Sequence, residues 1–157
     1  MRKMGITIFY KIEAPTKQNV DKIISIAKRG TKQLTSHGVR IKITNVNKPR
    51  ERGIIIRTGV TEDINLSFYW ATVDKWVAED FVKTQPFKGD EFLKSSLVHM
   101  WFCSLLHEIE DRGLGRVDVH DEGGFYQKGK MSELQEKFKT IMRRLEILKQ
   151  GGYDLGE

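Results

Sequence analysis

The sequence predicts an α+β fold: a mainly antiparallel sheet of about five or six strands with helices on one face, in the order β-α-β-β-β-β-α-β-α. Three observations point there. A run of about four segments with period-two alternation lies between two helical segments, so the strands follow one another instead of alternating with helices. The stretch Asp90–Gly113 is apolar around most of its circumference and needs cover on two sides, from a sheet and from another helix. A chain of 157 residues, 39% hydrophobic and 31% charged, can bury a core without disulfide or metal staples. One domain is expected over residues 1–150, with a flexible C-terminal tail at 151–157.

In chain order, Gly5–Ile12 alternates Ile6, Ile8, Tyr10 and Ile12 against Thr7, Phe9 and Lys11. Apolar residues on both faces mark an interior strand. Pro15 breaks it and Thr16 caps a helix over Lys17–Ser36, with Val20, Ile23, Ile24, Ala27 and Leu34 inward and Lys17, Lys22, Lys28, Arg29 and Lys32 outward. Gly30 is expected to end or bend that helix, and His37-Gly38 to stop it. Val39–Val46 alternates as a strand, and Asn47–Gly53 reads as a hairpin loop leading to a returning strand from Ile54 towards Val60. Ile64–Val73 and Trp76–Phe81 are two further strands. Their aromatics Phe68, Tyr69, Trp70, Trp76 and Phe81 are read as packing residues before stacking ones.

The central helix follows, with Asp90 near its cap and Gly113 after its last turn. Leu97, Val98, Trp101, Phe102, Leu105 and Ile109 form its apolar arc. A stripe of Ser95, His99, Cys103 and His107, four residues apart, drifts slowly round it. His and Cys at that spacing can reach one metal ion or one another, so His99, Cys103 and His107 are candidate metal ligands. The competing reading is small residues that admit a neighbour, beside hydrogen-bonded histidines. Gly115–His120 is a last strand, and Asp121-Glu122-Gly123-Gly124 a turn after it. Ser132 with Gln135 makes a capping box for a final helix over about 133–150.

Charge is unevenly spread. Residues 1–60 hold 14 Lys and Arg against 3 Asp and Glu, residues 61–125 hold 6 against 13, and residues 126–157 hold 7 against 5. The basic first third suits an acidic partner, yet the acidic middle would repel phosphates. Arg50, Arg52 and Arg57 of the hairpin, with Asp121 and Tyr126 near the last strand, are the candidate ligand-binding residues.

The function expected is a non-enzymatic module binding a protein or small acidic ligand. A second expectation is a hydrolase or metal-dependent enzyme using His99 and His107 with the His120-Asp121-Glu122 cluster, the catalytic candidates being His107, His120 and Glu122. A third is nucleic-acid binding through residues 1–60. No cofactor is expected, since no phosphate loop, Ser/His/Asp order or CxxC pattern occurs. With one cysteine and no apolar run of about eighteen residues, a cytoplasmic protein off the membrane is expected, with homo-oligomerisation through complementary charge as a further option.

Overall fold

The computed structural model describes residues 6–84 and 90–122, together with Tyr126, Glu136, Thr140, Arg143 and Ile147. It is an α+β fold with the elements β1 (Ile6–Ala14), α1 (Lys17–Ser36), β2 (Lys42–Lys48), β3 (Glu51–Arg57), β4 (Ile64–Thr72), β5 (Lys75–Thr84), α2 (Asp90–Asp111) and β6 (Arg116–Asp121). The strands form one antiparallel sheet in the order β2-β3-β4-β5-β1-β6. The final helix expected over 133–150, its capping box and the tail lie outside the described residues, except that Glu136, Thr140, Arg143 and Ile147 are helical and exposed.

β1 is interior, as its two apolar faces suggested, and pairs with β5 on one side and β6 on the other. β5 and β6 both run antiparallel to β1 and are therefore parallel to each other. α2 makes the crossover between them. α1 carries the chain from β1 across β5, β4 and β3 to the far edge, where β2 lies. Ile6, Ile8, Tyr10, Ile12 and Ala14 on β1 are buried, as are Ile54 and Ile56 on β3 and Ile64, Leu66 and Phe68 on β4. They form one core with Val20, Ile23, Ala27 and Leu34 of α1 and Val98, Phe102, Leu106 and Ile109 of α2. Strand alternation turns Phe9, Lys11, Glu79, Phe81, Asp118 and His120 to the other face of the sheet.

α1 and α2 end alike. Gly38 and Gly113 take positive φ of 86° and 66°. The amides three residues past each helix, Val39 and Leu114, bond back to the carbonyls of Leu34 and Ile109 at 3.0 Å. Glycine satisfies these otherwise orphaned carbonyls without a Cβ penalty. The cap consumes Val39, so β2 starts at Lys42 and not at Val39. The turn after β2 is also tighter than the expected Asn47–Gly53 loop. Asn47 pairs with Arg52 and Lys48 with Glu51, leaving Pro49-Arg50 as the turn.

Gly30 neither ends nor visibly interrupts α1, which runs on to Ser36. Its role is space: a Cβ there would lie 2.7 Å from Nε1 of the Trp101 indole on α2. Gly30→Ala would gain about 1 kcal/mol of helix propensity. Crowding the buried indole costs about 1–3 kcal/mol. A net fall in melting temperature is expected, measured by thermal unfolding; a rise would show that Trp101 moves aside freely. Gly53 is a stricter case, because a Cβ on it would fall onto the carbonyl oxygen of Leu66 in β4.

Between β4 and β5 the ladder is interrupted. The strands pair at Tyr69–Thr72 with Lys75–Val77, where the register shifts, and the segment before β4 meets β5 again at an isolated bridge between Thr61 and Thr84. Between those points the Tyr10 hydroxyl crosses from β1 and donates to the carbonyl of Asn65. Its ring meets Phe102 edge-on at 4.9 Å. Burial, and then the Asp80 charge, push the Tyr10 phenol well above its usual range, so it remains a donor.

Candidate functional site

Among the described residues three places hold chemistry: a basic groove, a buried polar cluster and the sheet face opposite α1 and α2.

The groove runs between α1 and the β2–β3 hairpin and encloses about 680 Å³. Helical spacing places Asp21, Ser25, Lys28 and Lys32 along one flank of α1, and Arg29 joins them. Asn45, Val46, Asn47, Arg52 and Gly53 form the opposite wall, with Ile24 as apolar lining. Arg52 bonds to the Asp21 carboxylate through Nε and to Asn47 Oδ1 through Nη1 at 3.0 Å, so its guanidinium is fixed at the groove wall. Lys28, Arg29 and Lys32 are exposed, and among the described residues no carboxylate pairs with them. Asn45 and Asn47 add amide groups that can donate to an oxyanion.

The three hairpin arginines do not share this surface. Alternation along β3 puts Arg52 on the helix side and Arg57 on the other face, where Arg57 Nε lies 3.3 Å from Asp63 Oδ2. The Arg50 guanidinium sits 5.1 Å above the Trp70 ring. Only Arg52 lines the groove. Its cationic companions come from α1, 20 or more residues earlier in the chain, which is why strand spacing alone did not reveal them.

The second place is the inward side of the α2 stripe. His99 and Cys103, one turn apart, both meet Asp121 at the end of β6. His99 Nε2 is 2.8 Å from Oδ1, the Cys103 thiol donates to Oδ2 across 3.4 Å, and the Tyr126 amide donates to the same oxygen at 2.9 Å. All three side chains are buried. In the neutral ring this bond keeps the proton on Nε2. His99 Nδ1 is a buried nitrogen with no hydrogen-bond partner among the described residues.

Burial first, then the adjacent Asp121 charge, drive the Cys103 thiol far above its usual range. It is held as a thiol, the wrong form for a nucleophile. One ligand atom from each of His99, Cys103 and Asp121 lies within 4.8 Å of the others, so these three could hold a borderline metal such as zinc. Ligation would require the thiol to lose its proton and Asp121 to give up two donors. As it stands the cluster ties α2, the end of β6 and Tyr126 together through the Asp121 carboxylate, with His99 Nδ1 left over.

His107, the next residue of the stripe, turns to Tyr126 instead. Its Nε2 lies 2.6 Å from the Tyr126 carbonyl, and the two rings stack at 4.0 Å with planes 8° apart. Burial, and then Glu110, raise the Tyr126 phenol. Asp121 and Tyr126 thus come together, but on each other and not on the hairpin arginines. The catalytic candidates are spread out. His107 is on the helix side, whereas His120 points from β6 to the opposite face, its ring 6.2 Å from that of Phe9. Glu122 accepts the Thr7 amide at 3.0 Å at the strand edge. Period-two alternation sends His120 and Asp121 to opposite faces, and the sheet stands between His107 and His120.

The third place is that opposite face. Phe81, Phe9 and His120 make one row across β5, β1 and β6, with Glu79, Lys11 and Asp118 as the neighbouring row. Phe9 and Phe81 are 46% and 47% exposed, with centroids 6.0 Å apart. Of the strand aromatics, Phe68 and Trp76 are buried in the core, while Tyr69, Trp70 and Phe81 are exposed. Among the described residues no helix is long and apolar enough to cross a membrane.

No protein-family model, curated protein or solved structure matches this chain, so its chemistry is read from its own residues and their geometry.

Proposed function

We propose that this chain is a non-enzymatic binding module that takes an anionic partner in the groove between α1 and the β2–β3 hairpin. One observation carries the reading. Lys28, Arg29, Lys32 and Arg52 line a single concavity with Asn45 and Asn47, and the one acid lining it among the described residues, Asp21, is already engaged by Arg52. Cations left without counter-charges in a groove give a field focused on whatever enters it. The carboxylates that could neutralise them, such as Glu79, Asp80 and Asp118, lie over the other strands.

Those same acids favour a carboxylate-bearing partner over a nucleic acid. A long polyanion would have to avoid them, whereas a short acidic segment fits within the groove. The buried cluster and the dispersed histidines support this reading too, since the catalytic candidates do not face a common cavity.

Reversing Lys28 and Lys32 together, to Glu, should weaken binding of a glutamate-rich peptide by roughly 10- to 100-fold, measured by fluorescence anisotropy at low salt. Binding to the parent chain should itself weaken as salt rises. Arg57→Glu, on the far face, should leave affinity unchanged. Equal loss from Arg57→Glu, or no loss from the double reversal, would refute the groove as the binding surface.

A further inference from the structure

Resting on that reading, we infer that the partner binds as an extended acidic segment that adds a seventh strand to the free edge of β2, its acidic side chains pointing at α1. β2 ends the sheet order, and among the described residues no strand pairs with its outer edge. It is seven residues long and exposed or half-buried at every position. Every second backbone N–H and C=O along such an edge points away from the sheet, ready to accept another strand.

The register of the hairpin decides what that strand must carry. Asn45 pairs with Ile54, which is buried in the core, so Ile43, Asn45 and Asn47 share the helix-bearing face. A strand laid beside β2 would send alternate side chains to the same face, alongside the flank of α1 that holds Lys28 and Lys32. Carboxylates at every second position would meet those ammonium groups. The intervening side chains would stand on the other face, beside Lys42 and Lys48. The groove thus supplies side-chain selectivity and the edge supplies main-chain hydrogen bonds.

Charge also separates this occupant from a second copy of the chain. Antiparallel pairing of two β2 strands about Asn45 would set Lys42 of one copy opposite Lys48 of the other, at both ends of the ladder. Like charges directly opposite destabilise such a pair. Lysines on an edge strand discourage self-association in this way, and they leave an acidic strand welcome.

The test uses the whole chain and three blocked peptides about as long as β2, all with glutamate at every second position. One is unmodified, and the other two are N-methylated at the odd or at the even residues. Strand addition predicts that one methylation phase weakens binding by roughly tenfold or more, because several N–H donors are lost together, while the other phase binds nearly as the parent does. Amides of residues 42–48 should become protected from exchange in alternation when the unmodified peptide binds.

If both methylated peptides bind as tightly as the parent, strand addition fails while the anion-binding groove stands. If no peptide binds but a single-stranded oligonucleotide does, the acidic-segment inference is overturned in favour of nucleic acid. If neither probe binds, the groove reading falls with it.

Discussion

Asp121→Ala is expected to be the most damaging single substitution away from the hydrophobic core. It removes the acceptor of the buried His99 ring, the Cys103 thiol and the Tyr126 amide at once. Breaking a buried pair by deleting one partner costs about 3–5 kcal/mol. For a chain of this size the melting temperature should drop by roughly 6–20 °C. Asp121→Asn keeps an acceptor oxygen and should fall between the parent and Asp121→Ala. Cys103→Ala deletes one donor and leaves those from His99 and Tyr126 in place, so its cost should be the smallest of the three. Thermal unfolding of these variants ranks them directly. An Asp121→Ala protein that melts with the parent would mean that the carboxylate does not hold α2 to β6.

Phe102→Ala is the second large effect. Phe102 is fully buried on α2, and the ring it supports belongs to Tyr10, whose hydroxyl takes up the Asn65 carbonyl where the β4–β5 ladder lapses. Truncating a buried phenylalanine costs about 3–5 kcal/mol through lost transfer energy and the cavity left behind. Because Tyr10 would lose its edge-on neighbour, the damage should extend into the sheet. Amide exchange near Asn65 is expected to quicken in Phe102→Ala beyond what the global destabilisation accounts for. Phe102→Leu, which keeps most of the volume, should restore slow exchange. If exchange at Asn65 follows only global stability, Tyr10 is not supported by Phe102.

The fold was legible because its signals are local or periodic. β1 announced itself as interior by its two apolar faces, and the circumference of Asp90–Asp111 required cover from two sides, which the sheet and α1 provide. The glycine stops after both helices were visible as single residues. The element boundaries shifted where a cap and a turn claimed the same residues. Val39 could alternate as a strand residue, but its amide closes the end of α1. Gly30 misled in another way. In the sequence it is a weak point of a helix, and in the structure it is the gap that Trp101 fills.

The candidate sites were half legible. The four-residue stripe on α2 correctly put His99 and Cys103 on one side, because helical spacing is fixed by the backbone. The expectation that paired this stripe with His120-Asp121-Glu122 is met by Asp121 alone, and spacing could not show which of the three would reach the helix or that His107 would turn to Tyr126. Grouping Arg50, Arg52 and Arg57 by nearness in sequence ran against strand alternation, which divides Arg52 from Arg57.

The residues of this chain, taken alone, set which segments are strands and helices, which side of each is apolar, and how unevenly charge is distributed. Those properties follow from periodicities of 2 and 3.6 residues that any backbone imposes. Tertiary structure alone decided that α1 crosses to the far edge of the sheet, bringing Lys28 and Lys32 opposite Asn45, Asn47 and Arg52, and that β6 docks beside β1, placing Asp121 under His99. Such meetings depend on long-range packing of the buried faces, and packing among apolar residues is too unspecific in sequence to be read in advance.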